Sequence, residues 1–248
     1  MINKNELQST IGKYHLNGLI EPVKWSIADN ALTIDFQSPY KDMIGRVNHT
    51  SFPLKDAEIA IYDTSKLSKL LGITSGEVFI NLTKPEQAKI YDKLVISDST
   101  YTLNYTLSEL LLIQKVGTVD DPDNYKIITQ LDGDSISALI KAHNALESDN
   151  VIVSINRDLD GEDVLVMSFG DDLKHTNKID YQMPFTTLQG IKYGTRIPFD
   201  SKMIKNILNN NKDATKATMK ISSEGLMKFE FEGDNWNSFY YVVRKANI

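Results

Sequence analysis

Apolar and polar residues alternate over short runs along most of the chain, the two-residue period of strands with one buried face, and only four stretches carry helical spacing. Alternation over 25–27 and 32–36 predicts a hairpin turning across 28–31. After a stretch read as loop, a strand over 58–62 runs into Asp63, a helix-capping residue type, and then a helix carrying Leu67, Leu70 and Leu71 that stops at Gly72. Strands follow over 78–82, 93–97 and 101–107. The same order then recurs: a strand over 196–199, Asp200, a helix with Ile204, Ile207 and Leu208, and strands over 217–222, 226–232 and 238–243. Asp63, Leu67, Leu70 and Leu71 each stand 137 positions before Asp200, Ile204, Ile207 and Leu208, which is the mark of an internal duplication. Helices over 5–14 (Leu7, Ile11, Tyr14) and 135–146 (Ile136, Leu139, Ile140, His143) would open the two halves. The expected fold class is α+β, with two similar domains of antiparallel sheets and two short helices each. The N-terminal domain is expected over 1–113, a Gly-, Pro- and Asp-bearing linker over 114–126, and the C-terminal domain over 127–248.

Composition narrows the chemistry. With 41% hydrophobic and 24% charged residues among 248, the chain can bury a full core. No apolar run reaches the length of a membrane span and the first residues lack the apolar stretch of a signal peptide, so a cytoplasmic protein without membrane association is expected. Zero cysteines remove disulfides, thiolate nucleophiles and Cys-based zinc sites, and the four histidines stand more than twenty positions apart. The formal charge of −6 argues against gripping nucleic acid by bulk charge but leaves room for a basic patch.

No dinucleotide fingerprint or phosphate loop occurs. Residues 72–76 resemble a nucleophile elbow with Thr74 in place of the nucleophile, and read better as a helix stop. Residues 156–161 copy the first half of a calcium loop, but Met167 stands where the bidentate glutamate belongs, and a hairpin between strands over 151–155 and 164–169 suits the segment better. Acidic groups at 120–123 and at Asp171 and Asp172 could pair for acid–base chemistry, though such clusters beside Pro or Gly are mostly solvated loops. The expectation is no enzyme, no cofactor and no metal.

The helix faces turned away from the apolar stripes are informative. At 100° per residue, Lys69 lies opposite the stripe of its helix with Lys66 on the flank. Lys202 and Asn206 lie opposite the stripe centred on Ile204 with Lys205 flanking, Lys141 points away among alanines, and the first helix offers Lys13 with Asn5 and Ser9. Lysine on one exposed helix is ordinary solvation; its repetition in an acidic chain fits a surface that passes close to phosphates.

Residues 58–63 with their Leu-rich helix, and residues 225–233 followed by 239–243, resemble the DNA polymerase sliding clamps of large tailed bacteriophages, relatives of the proliferating cell nuclear antigen family. The resemblance implies the DNA clamp fold, with two clamp-type domains per subunit and a homotrimeric ring whose helices line a hole. It implies encirclement of double-stranded DNA without sequence specificity, tethering of a DNA polymerase, and opening by a clamp loader ATPase in the cytoplasm of the infected host. On that reading Lys13, Lys66, Lys69, Lys141, Lys202 and Lys205 face the DNA, and a partner-peptide groove involves Tyr125, Ile127 and Val243. Lys84, Lys174 and Lys228, outside the helices, are expected to be neutral to charge reversal. Two other readings stay open: a phage structural or assembly protein of β-rich duplicated architecture, and a hydrolase using Asp158, Asp160 and Asp171.

Overall fold

The structure is a computed structural model and describes residues 1–88, 90–123, 125–170, 177–188 and 193–246; Asp171, Asp172, Lys174 and His175 lie outside the described residues. The chain forms two compact units, Met1–Thr118 with Asp234–Ser238, and Val119–Gly233 with Phe239–Ile248.

The first unit runs β1 (Ile2–Asn3), α1 (Lys4–His15), β2 (Val23–Ala28), β3 (Ala31–Gln37), β4 (Met43–His49), β5 (Ala57–Ile61), α2 (Thr64–Gly72), β6 (Glu77–Thr83), β7 (Lys93–Ser97) and β8 (Thr102–Thr106). Its strands pair antiparallel in the orders β1-β6-β7-β8 and β4-β3-β2-β5. The second unit runs β9 (Ile127–Gln130), α3 (Gly133–Leu146), β10 (Asn150–Arg157), β11 (Asp163–Phe169), β12 (Ile179–Met183), β13 (Thr187–Leu188), β14 (Arg196–Asp200), α4 (Ser201–Asn210), β15 (Lys216–Ile221), β16 (Leu226–Glu232) and β17 (Trp236–Val243), the first three residues of which fall in the first unit. Here the orders are β13-β9-β15-β16-β17 and β12-β11-β10-β14. Setting aside the two-residue β13, each strand of one unit has its counterpart in the other, in the same order and in the same place relative to the two helices. The duplication inferred from a 137-residue offset is therefore a duplication of topology.

Local chemistry explains the elements. The β2–β3 hairpin turns on Asp29 and Asn30, both with positive φ (52° and 60°), the conformation of a two-residue turn whose twist matches its strands. Asp63 and Asp200 accept hydrogen bonds from the backbone N–H of Lys66 and Met203, each 2.7 Å, and so satisfy an orphan donor at the start of α2 and α4. Asp132 caps α3 in the same way, through the N–H of Ser135. Trp25, Tyr14, Phe36 and Phe52 fill the core of the first unit; Phe169, Phe199, Phe229, Phe231 and Tyr240 fill that of the second.

Several strands were not visible in the alternation. β4 buries Met43, Gly45, Val47 and His49, so its inward face holds a glycine and an imidazole where apolar side chains are expected, and the stretch reads as loop. β1, β9, β12 and β13 are short or polar and are likewise absent from the pattern.

Candidate nucleic-acid interface

The helices meet in pairs, α1 on α2 and α3 on α4. Each joint uses the same two positions. Counting eleven residues from the N-caps Asn3 and Asp132 gives Tyr14 and His143, and the residues just after the caps Asp63 and Asp200 are Thr64 and Ser201. The Tyr14 hydroxyl and Thr64 Oγ1 lie 3.5 Å apart; His143 Nδ1 and Ser201 Oγ lie 2.7 Å apart. Burial raises the pKa of Tyr14. Burial also lowers that of His143, aided by the charges of Lys205 and Lys202 against the opposing pull of Asp200 and Glu147. The first unit adds a polar knot: Ser65 donates to Glu21 through its backbone N–H (2.9 Å) and its hydroxyl, and His15 Nε2 lies 3.1 Å from Ser65 Oγ and 3.3 Å from Glu21 Oε1. Burial opposes ionisation of Glu21, but the Ser65 hydrogen bonds and His15 outweigh it and hold the carboxyl below its usual range.

With the pairs locked, the outward faces are set. Lys66, Lys69, Lys141 and Lys202 are exposed and Lys205 is half-buried. None of the five pairs with a carboxylate among the described residues. Neither α2 nor α4 contains an acidic residue. Each of these two helices thus carries two lysines without neutralising neighbours on the same helix.

Lys13 departs from the expectation. It is 1% exposed, with Nζ 3.8 Å from the centroid of the Trp236 ring and 2.5 Å from Ser9 Oγ. Helical geometry turned Lys13 away from the Leu7–Ile11 stripe, but that side of the helix is covered by the indole, so it is no open face. Asn206 is buried as well, at 6% exposure. The stripe of α3 runs through Ser135, Ile136, Leu139, Ala142 and His143, and leaves Ile140 and Leu146 only half-buried; Lys141 is outside on either reading.

The three residues placed in a partner-peptide groove do not share an open surface. Ile127 is 1% exposed, on β9 opposite Ile221 and Leu188, because its side chain belongs to the core of the second unit. Val243, at the end of β17, is 47% exposed. The Tyr125 hydroxyl donates to Asp121 Oδ1 at 2.5 Å. Lys228 is not a neutral surface lysine: its side chain is 9% exposed and lies 2.7 Å from both Asp121 and Glu230. Its i, i+2 spacing from Glu230 looks like a solvated strand face, and Asp121, 107 positions away, leaves no local signal.

Of the carboxylate candidates for hydrolysis, Asp158 is otherwise engaged, and Asp171 lies outside the described residues. Asp158 Oδ1 accepts from the backbone N–H groups of Asp160 and Glu162, both at 2.9 Å, and so closes the β10–β11 hairpin around Gly161, whose φ is +84°. Among the described residues no three metal-ligating side chains cluster. Thr74 sits after the end of α2 with its hydroxyl on the Leu71 carbonyl (2.9 Å), consistent with a helix stop.

Beside β8 lies a cleft of about 230 Å³, lined in part by Tyr62, Lys66, Leu70, Tyr105 and Leu107. The Tyr105 hydroxyl accepts from the Asp63 N–H (3.1 Å) and donates to the Asp63 carbonyl (3.0 Å), so the edge strand braces the cap of the lysine-bearing helix.

No family model matches the sequence, and no curated protein sequence matches it. Solved structures do. The proliferating cellular nuclear antigen of Entamoeba histolytica superposes with a TM-score of 0.71 at 14% identity, covering 98% of this chain and 96% of that one. The PCNA2–PCNA3 complex of Sulfolobus tokodaii gives a TM-score of 0.74 at 10% identity, covering 100% of this chain and 98% of the matched one. From end to end the chain therefore has the fold of the proliferating cell nuclear antigens, α+β with two similar domains built on antiparallel sheets and short paired helices.

Proposed function

We propose that the chain is the subunit of a sliding clamp, a processivity factor that closes around duplex DNA and tethers a replicative DNA polymerase, with an ATP-driven clamp loader to open it. The observation that carries this reading is the repetition, in both units of an acidic chain, of helices whose exposed faces hold Lys66, Lys69, Lys141, Lys202 and Lys205 without a carboxylate partner among the described residues. A ring held on DNA by topology needs no tight phosphate grip, and strong contacts would resist sliding; a few mobile lysines per subunit suffice. Lys13 is not part of this set.

The ring is a homotrimer of 3 × 28.0 kDa, or 84 kDa. The edge strands β8 and β12, five residues each and each with one side unpaired among the described residues, supply backbone donors and acceptors for pairing between copies. The cleft beside β8, with Leu70 and Leu107 in its wall, gives the contact an apolar component. Following the phage resemblance, the clamp serves in the cytoplasm of an infected bacterium. The protein has no chemical step of its own; its contribution is geometric.

Light scattering across a dilution series checks the assembly, with 84 kDa expected; a strict monomer at high micromolar concentration would falsify the ring. Changing Lys69, Lys141 and Lys205 to Glu should leave the mass unchanged and lower loading onto nicked circular DNA and polymerase processivity. The same reversal at Lys41, Lys55 and Lys84, exposed and outside the helices, should do neither. Equal losses from both sets, or none from either, overturn the DNA-facing assignment and favour a structural or assembly protein.

A further inference from the structure

On the second unit, Lys220 of β15 and Lys228 of β16 are directly opposite one another, an arrangement of like charges that weakens a sheet unless something intervenes. Two carboxylates do. Glu230 takes both lysines, at 2.6 Å from Lys220 and 2.7 Å from Lys228, and Asp121 takes Lys228 a second time at 2.7 Å. Only Glu230 belongs to the sheet. Asp121 comes from the irregular segment ahead of β9, and the Tyr125 hydroxyl, donating to its other oxygen, holds it in place. The ammonium of Lys228 also lies 5.1 Å from the Tyr241 ring and 5.7 Å from the Phe239 ring, and that of Lys220 lies 5.8 Å from the Tyr125 ring. Two positive and two negative charges therefore balance on this face only while the segment is docked. With Asp121 withdrawn, a largely buried Lys228 would share one carboxylate with Lys220.

The electrostatics agree with the geometry. Burial opposes ionisation of Asp121, yet hydrogen bonds from Lys228 and Tyr125 and the Lys228 charge hold it below the ordinary carboxylate range. Burial likewise opposes the charge on Lys228, and its bonds to Asp121, Glu230 and Tyr241 override it and raise its pKa. The chain on the other side is pinned too, since the Gly117 N–H donates to Gln37 Oε1 of the first unit at 3.3 Å. Between these two anchors, residues 118–120 make no hydrogen bond or ion pair of their own among the described residues.

We propose that Lys228 is a positioning residue that latches the segment ahead of β9, through Asp121 and Tyr125, onto the β15–β16–β17 face, and that this latch sets how short the untethered stretch after Gly117 is. Release of Asp121 lengthens that untethered stretch toward β9, where the Lys126 N–H donates to the Ile221 carbonyl (2.9 Å) and holds the chain again. The latch is independent of whether the protein encircles DNA.

Hydrogen–deuterium exchange on the full-length protein tests it, with Asp121→Asn, Lys228→Met and the double variant. Loss of a hydrogen bond between charged groups should speed exchange of amides in residues 119–126 by about tenfold or more, with β15, β16 and β17 unchanged in Asp121→Asn. The double variant should exceed either single one by little, because both remove the same bond, and Lys228→Arg should restore much of the protection. Should Lys228→Met unfold the unit, Asp121→Asn decides alone, since Asp121 is exposed and lies outside the sheet. Unchanged exchange in 119–126 on loss of Asp121, or acceleration spread evenly through the sheet, overturns the latch.

Discussion

Replacing Lys13 by Met separates a buried structural lysine from those proposed to face DNA. The ammonium is 1% exposed, 3.8 Å from the centroid of the Trp236 ring and 2.5 Å from Ser9 Oγ. A desolvated cation over an indole contributes about 2 kcal/mol, and a hydrogen bond made by a charged donor about 1.5–3 kcal/mol. Against them stands the loss of ammonium hydration, several kcal/mol after relaxation. These terms nearly cancel. Methionine keeps an unbranched apolar stem of similar length, so Lys13→Met should shift stability by only about 1 kcal/mol in either direction, or roughly 2–4 °C in Tm for a chain of this size. Lys13→Glu sets a carboxylate against the negative face of the indole in a site closed to water and should cost about 3–5 kcal/mol. Thermal denaturation measures both changes, and loading onto nicked circular DNA measures function. Lys13→Met should load as the wild type does, whereas Lys69→Met should load less well. If Lys13→Met kept its Tm but lost loading to the extent of Lys69→Met, the Lys13 side chain would have to reach DNA, and its assignment to the core would be wrong.

Two further outcomes follow from the geometry. The native state disfavours protonation of His143, so between its unfolded pKa, about 6.5, and its lower folded value the unfolded chain binds more protons. Stability should therefore be fully present above about pH 6.5 and fall as the pH drops below it; His143→Gln should flatten the Tm profile between about pH 7.5 and pH 5.5, and an unchanged slope would refute the assignment. Asp158→Ala removes two acceptor contacts from a hairpin turn and should cost about 1 kcal/mol by denaturant titration, while hydrolysis of nucleotides or DNA should be undetectable in wild type and variant alike. A hydrolase activity lost in that variant would reinstate an enzymatic reading.

Features written locally were legible in the chain: the aspartate caps at Asp63 and Asp200, the turn at Asp29 and Asn30, and the repeated spacing of leucine and isoleucine on α2 and α4. The missing features depend on residues far apart in sequence. β4 hides because its inward face includes His49, whose burial is offset by Glu6, 2.9 Å away and 43 positions earlier. Lys13 reads as solvated because it is charged, and Trp236, which covers it, lies 223 positions later. Lys228 has the alternating spacing of an exposed strand face, and the docked Asp121, 107 positions earlier, helps to close it over. Charge and period report what a residue prefers, and each of these side chains is held against that preference by a distant partner. The lysines of α2, α3 and α4 were found because exposure follows from the helix's own stripe and needs no such partner.

The open edges β8 and β12 belong to different halves of the chain. If they join neighbouring copies, each contact is head-to-tail, and only closure leaves neither of these two edges unused. Assembly is then vulnerable to poisoning. A copy whose β12 is blocked, by proline at Tyr181 for example, still offers a sound β8 to a neighbour and occupies a place that it cannot help to close. In a random mixture the share of intact three-membered rings falls as the cube of the unblocked fraction, so an equal mixture retains about one eighth of them. A minority of defective copies would thus remove far more function than its own share of the protein.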